Sequence, residues 1–216
     1  MEEQSNNLLT IKNLCISSQG RTLLRYFNLE LPAGQVKVIS APTGTGKTTL
    51  FNYIADLLPP KGFEVSGELS KADDLKISYA FQEPRLIPSV NVIQNIMLPL
   101  QNLLDSEHSA AVARIWLQKF NLLNKLQEAP NKLSGGEQQR ANLARAFAYA
   151  QVLVTSKKNP CVLLLDEPFA SQDEQNIHNI DALIREQMLL PDIACLIISH
   201  NTQNISSDFF KLSIPV

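Results

Sequence analysis

The chain is poor in cysteine and has no long apolar run, and neither sign of charge dominates. Three cysteines, Cys15, Cys161 and Cys195, are an odd count without CxxC spacing, which speaks against a disulfide framework and against zinc. Cys161 opens the run Val162–Leu165 and Cys195 opens Leu196–Ile198, so both read as buried free thiols. No apolar stretch approaches the about 20 residues that a membrane-crossing helix needs. Lys and Arg number 19 against 21 Asp and Glu, a formal charge of −2, which argues against a broad nucleic-acid-binding surface. The first residues, Met1-Glu2-Glu3-Gln4-Ser5, are acidic and polar, so no secretion signal is predicted. Internal repeats and low-complexity tracts are missing too. What is present is 44% apolar residues in 216, enough for one sizeable core with room for an inserted subdomain.

Short β-rich runs alternate with helical patterns, the mark of an α/β domain with a largely parallel sheet. Leu8 to Leu14 and Phe27 to Leu31 read as strands of an N-terminal antiparallel portion. Val36 to Ser40 reads as a buried strand that feeds a helix from about Lys47 to Leu57, and Ile77 to Phe81 as a further strand. From Gln82 to Leu133 the pattern turns helical: Val92 to Leu104 with a break at Pro99, then Ala110 to Phe120 with Val112, Ile115, Trp116 and Phe120 on one face. Trp116 on that stripe reads as core. Glu137 to Ala150 and Glu174 to Leu190 read as helices, Val162 to Leu165 and Ile193 to Ser199 as buried strands, and Phe209 to Val216 as a last edge strand. These runs divide one domain into an α/β core, 1–81 and 151–216, and a helical subdomain, 82–150.

Ala41-Pro42-Thr43-Gly44-Thr45-Gly46-Lys47-Thr48 lies between a predicted strand and a predicted helix, the context of a phosphate-binding loop. Gly44 and Gly46 let the backbone curl so that successive N–H groups, those of Pro42's successor Thr43 through Thr48, face phosphate oxygens. The dipole of the following helix adds to this. Lys47 brings a mobile cation for the β- and γ-phosphates, the Thr48 hydroxyl suits Mg²⁺, and Thr49 reaches the α-phosphate. Ala41 stands where the motif's first glycine belongs.

A second chemistry-bearing run is Cys161-Val162-Leu163-Leu164-Leu165-Asp166-Glu167-Pro168. A buried strand delivers two carboxylates at its C-terminal end, where α/β sheets place their ligands. Asp166 suits Mg²⁺ and Glu167 suits a general base acting on water. Alone, such a pair also reads as a strand cap. A third run, Leu133-Ser134-Gly135-Gly136-Glu137-Gln138-Gln139-Arg140, sets Ser134, Gly135 and Gly136 before a helix. That is either an ordinary N-cap or an anion site.

The three runs in this order resemble the ATP-binding subunits of ABC transporters, over nearly the whole chain. The fold this implies is a P-loop NTPase core, a largely parallel α/β sheet with an antiparallel β portion and an inserted α-helical subdomain. The resemblance makes LSGGEQQR the signature motif. It implies a head-to-tail homodimer or heterodimer in which each ATP lies between one subunit's phosphate loop and the other's Ser134 and Gly136. It also implies that Gln82 senses Mg²⁺ and the attacking water, beside Thr48 and Asp166 as metal residues. His200, which alone reads as a strand-end histidine, becomes the contact to the γ-phosphate. The catalytic set so implied is Glu167, His200, Gln82 and Lys47, with ATP and Mg²⁺ as cofactors.

Three segments depart from the family pattern. The aromatic that stacks on adenine should fall near Ser18 or Gln19, and neither is aromatic. Ala170-Ser171-Gln172-Asp173 alters the D-loop pattern and retains Asp173. Ala150 to Lys158 lengthens the link between the helix after the signature and the acidic pair.

Phe81-Gln82-Glu83-Pro84-Arg85-Leu86-Ile87-Pro88 is similar to the corresponding loop of nitrate, sulfonate and taurine importers. That likeness implies an integral membrane permease, docked beside Pro84, Leu86 and Pro88, and an extracytoplasmic solute-binding protein. Such a subunit is cytoplasmic and peripheral at the inner face of the membrane, and has no nucleic-acid partner. The short stretch after His200 predicts no accessory regulatory domain. Two other classes compete: a soluble ABC ATPase without a permease, which would carry a long coiled coil between the nucleotide motifs, and a regulatory partner that binds ATP without turnover.

Overall fold

The computed structural model describes residues 6–40, 44–59, 61–200 and 209–213. In chain order come strands β1 (Asn7–Ser18), β2 (Arg21–Pro32) and β3 (Val36–Ser40), helix α1 (Lys47–Ile54), and strands β4 (Glu64–Lys71) and β5 (Lys76–Ala80). Helices α2 (Val92–Met97), α3 (Ser106–Lys119) and α4 (Gly135–Ser156) follow. Strand β6 (Cys161–Asp166), helix α5 (Glu174–Gln187) and strands β7 (Ile193–Ile198) and β8 (Phe210–Ser213) complete the order. The first, second and fourth strands form an antiparallel sheet, β2-β1-β4; the rest form a parallel sheet, β5-β6-β7-β3-β8.

Strand periodicity decides which layer each side chain joins. Every residue of β6 and β7 is buried, as expected of strands covered on both faces. Cys161, Leu163 and Leu165 pack with Trp116, Phe120 and Phe147 on the helical side. Val162 and Leu164 pack with Leu9, Leu50, Phe51 and Ile54, between the two sheets. Asp166 continues the second series, so its carboxylate emerges on the side of α1. The thiols of Cys161 and Cys195 are fully buried, and burial pushes the Cys161 thiol up to about 12, which leaves it unreactive near neutral pH.

Helix α4 joins the two parts of the chain. Trp116 Nε1 donates to Gln151 Oε1 at 2.7 Å, and Phe147 meets the Trp116 and Phe120 rings at 5.4 Å each. From the same helix Asn142 Nδ2 donates to Phe81 O at 2.8 Å, and Arg145 donates to Pro84 O at 2.9 Å and Arg85 O at 3.1 Å. These carbonyls belong to an irregular segment that has left the sheet, where no strand partner can satisfy them.

Several expectations shift. The face of α3 that packs inward consists of Ser109, Ala113, Trp116 and Leu117; Ile115 is 51% exposed, so its place on the buried stripe was wrong by one helical step. Helix α2 ends at Met97, and Pro99 sits in a 3₁₀ turn, Leu98–Leu100. Most of the Ala150–Lys158 stretch lengthens α4 to Ser156. Strand β4 is almost wholly exposed and so carries no apolar alternation by which to be found. Its Gly67, with φ of +101°, lies opposite a bulge of β1 at Asn13 and Leu14, and an added Cβ there would lie 2.6 Å from Asn13 O. The last strand is described over Phe210–Ser213; Pro215 and residues 214–216 lie outside the described residues. Among the described residues no helix is long and apolar enough to cross a membrane.

Asn95, fully buried on α2, holds the segment that precedes its own helix. Its Oδ1 accepts from Ile87 N at 2.7 Å, and its Nδ2 donates to Ile87 O at 3.1 Å and Asn91 O at 3.0 Å. Asn95→Leu removes these side-chain bonds and leaves the Ile87 N–H without its partner, and is expected to destabilise the fold by about 1–3 kcal/mol in urea unfolding. A loss below about 0.5 kcal/mol would contradict this account.

Candidate functional site

The loop before α1 is shaped by close approach. Gly46 is the N-cap of α1, at φ +81°, and a Cβ there would meet Leu23 O at 2.8 Å and Leu23 Cβ at 3.0 Å. Gly44 is left-handed too, at φ +83°. No side chain caps α1 and its first turn holds no acidic residue, so its N-terminal N–H groups face the cavity as an anion site. Ala41, Pro42 and Thr43 lie outside the described residues.

Opposite the helix stands the end of β6. Thr48 Oγ1 donates to Asp166 Oδ2 at 3.1 Å, and Tyr79 Oη donates to the same oxygen at 3.4 Å. Burial raises the Asp166 pKa above the ordinary carboxylate value, with the Thr48 hydrogen bond opposing and the neighbouring Glu167 charge adding to the rise. The Thr48 hydroxyl, the Asp166 carboxylate and the amide oxygen of Gln82 are oxygen donors of the kind a hard divalent cation takes.

The next residue breaks the alternation. Glu167 takes φ of +51°, unusual for a residue with a side chain. Its backbone N–H donates to Ile198 O at 2.9 Å, and its carboxylate turns to His200: Oε1 lies 2.9 Å from His200 Nδ1 and accepts from His200 N at 3.1 Å. Two consecutive carboxylates thus diverge, one toward α1 and one toward the end of β7.

Gly44, Gly46, Lys47, Thr48, Thr49 and Gln82 line one cavity of about 500 Å³ with Asp166, Glu167 and His200. The described residues named for phosphate, metal and water chemistry on the chain's own side therefore meet there, apart from Thr45, which does not line it; Pro42 and Thr43 lie outside the described residues. Three lining residues escaped the sequence reading: Arg21, Leu23 and Ile198. Strand alternation could have paired Arg21 with Leu23 on one face, but nothing in sequence placed β2 over the loop.

Ser134, Gly135 and Gly136 do not line this cavity. Ser134 caps α4: Glu137 N donates to its hydroxyl at 3.3 Å, and Glu137 Oε2 accepts from Ser134 N at 2.8 Å. The Ser134 N–H holds the Glu137 carboxyl below its usual range. The ordinary cap and the anion site coexist, because the N–H groups of Gly135 and Gly136 have no intrahelical acceptor. A Cβ on Gly135 would meet open space, whereas one on Gly136 would lie 2.9 Å from Ser171 O. Gln172 fastens this contact, donating to Gly136 O at 3.1 Å and accepting from Arg140 Nη1 at 3.0 Å.

A family model described as ABC transporter matches residues 24–170. The chain belongs to the ABC transporter family. Among relatives of this ABC transporter chain, the aliphatic sulfonates import ATP-binding protein SsuB 3 of Rhodococcus jostii (strain RHA1) is 34% identical over 181 residues, 84% of this chain and 61% of that protein. The probable iron export ATP-binding protein FetA of Escherichia coli (strain K12) is 30% identical over 212 residues, 94% of this chain and 89% of that protein. The chain thus spans less than two thirds of the first relative's length. The dimeric structure of MJ0796, a bacterial ABC transporter cassette, superposes with a TM-score of 0.76 at 25% identity, over 95% of this chain and 94% of that one. The ABC transporter fold is thereby the observed one, a parallel core sheet with an antiparallel portion and inserted helices.

The raised pKa of Asp166 carries a stability consequence. A carboxyl whose folded pKa exceeds its unfolded one stabilises the fold below the unfolded value and loses that contribution as pH rises through the folded value. Near pH 7 the Asp166 charge therefore works against the nucleotide-free fold. Asp166→Asn is expected to raise the melting temperature at pH 7 and to match the parent chain at about pH 4, near the ordinary carboxylate value. An equal or lower melting temperature at pH 7 would show that burial does not dominate there.

Proposed function

We propose that this chain is the ATP-hydrolysing subunit that powers an ABC transporter. The observation that carries the reading is the position of Glu167: its carboxylate, held by His200, shares one cavity with Lys47, Thr48 and Asp166. The triphosphate lies along the loop and the α1 N-terminus, with Lys47 facing the β- and γ-phosphates and Thr49 the α-phosphate. Thr48, Asp166 and Gln82 would hold Mg²⁺, which when bound neutralises charge building on the phosphate oxygens. Glu167 accepts the proton of a water that attacks the γ-phosphorus; the β–γ bridging P–O bond breaks, and ADP leaves with the bridging oxygen. His200 keeps the base aimed and reaches the γ-phosphate.

Since Ser134, Gly135 and Gly136 lie outside the cavity, a second copy or a related subunit supplies them head to tail, closing on the ATP. Residues 82–150 act as the helical subdomain that carries this signature against the core formed by 1–81 and 151–216. A permease docks beside Pro84, Leu86 and Pro88, which places the subunit at the inner face of the cytoplasmic membrane. Import of a small solute, with an extracytoplasmic binding protein, is supported by the 81–88 segment and by the sulfonate importer among the relatives. Export is favoured by a different observation, the fuller two-way coverage of FetA. Vesicles reconstituted with the permease separate the two by the side on which solute accumulates.

Lys47→Ala is expected to abolish nucleotide binding in equilibrium titration; binding retained at parental strength would sink the phosphate-loop assignment. Glu167→Gln is expected to cut hydrolysis by at least about 100-fold while trapping a dimer in MgATP, visible by light scattering. A variant that hydrolysed ATP normally would remove Glu167 as the base.

A further inference from the structure

We propose that Arg21 is a second cation of the nucleotide site, gripping the phosphate chain, and that the chain in consequence accepts nucleoside triphosphates with little regard to the base. The proposal rests on the nucleotide site argued above. Arg21 opens β2, and Leu23, two residues on, shares its strand face. Leu23 lies against Gly46, and the Arg21 Nη2 atom is 3.9 Å from the point where a Cβ on Gly44 would sit. The strand thus runs over the phosphate loop and holds a guanidinium above it, on the wall of the same cavity as Lys47 and Thr48. The two carboxylates in that cavity are engaged by other groups, Asp166 by Thr48 and Glu167 by His200. A guanidinium presents a planar fork of donors that fits phosphate oxygens.

The base has no comparable partner. Among the described residues no Phe, Tyr or Trp lines the cavity. Ser18, one of the two positions where a stacking ring was expected, has its hydroxyl turned away, donating to Gly62 O at 2.8 Å. Gln19 forms the β1–β2 turn at φ +51°. Discrimination between purines needs polar groups matched to the base edge; Arg21, the one cavity residue whose donors could favour guanine O6, is assigned here to the phosphates, which leaves Leu23 beside it with no polar group for the base.

The test is displacement of trinitrophenyl-ATP from the full chain, in MgCl₂, by ATP, GTP and inorganic tripolyphosphate. For the parent chain, ATP and GTP are expected to compete within about threefold of one another. Arg21→Ala is expected to weaken all three competitors by a common factor of about tenfold, and Arg21→Lys to recover most of that loss. Arg21 is exposed on a hairpin, so both variants fold. Tripolyphosphate binding unchanged by Arg21→Ala while ATP weakens would assign Arg21 to the base and overturn the proposal. So would a tenfold preference for ATP over GTP, or no effect of Arg21→Ala at all. Lys47→Ala serves as the separate control: undiminished probe binding there overturns the nucleotide site itself, whereas loss there with no effect at Arg21 overturns only this proposal.

Discussion

Three backbone carbonyls, those of Phe81, Pro84 and Arg85, leave the parallel sheet with no strand to pair with, and α4 answers all three. Much of the remaining architecture depends on this match. It sets Gln82 at the cavity mouth, because the residues on either side of it are fastened. It also binds the helical region to the sheet through hydrogen bonds that cannot slide, unlike apolar contacts alone. The same helix begins at Ser134 and Gly135, so the N–H groups at its N-terminus and the segment beside Gln82 are held by one element. A single element therefore joins the signature surface at Ser134 and Gly135 with the cavity wall at Gln82.

Within the sheet the controlling fact is parity. Alternation along β6 sends Asp166 to the α1 side, where Thr48 waits, and burial there makes its charge costly until something positive arrives. Had the alternation continued, Glu167 would have entered the apolar layer with Trp116 and Phe147. The left-handed turn at Glu167 prevents this and sends the carboxylate to the end of β7 instead.

Much of this is legible in the residues themselves. Runs of apolar residues between polar turns marked β6 and β7, and the glycine-lysine-threonine run marked the loop. The family resemblance then joined Gln82 and His200 to them. What was not legible shares a physical cause. Strand β4 pairs through its backbone while its side chains stay in water, so it leaves no hydrophobic imprint. Ile115 fits a helical stripe by spacing, yet the stripe rotates and leaves it outside. Arg21 and Leu23 reach the cavity only because the antiparallel sheet lies over the loop, a tertiary relation with no local signal.

The bond between Glu167 and His200 has one more implication. Glu167 sits in a backbone region that side chains avoid by about 1–2 kcal/mol, and both the main-chain and side-chain nitrogens of His200 hold its carboxylate there. The strained residue and its restraint form one unit, closed on the backbone side by the Glu167 N–H to Ile198 O. Their contributions are therefore coupled, and a change at the histidine is already a change at the carboxylate.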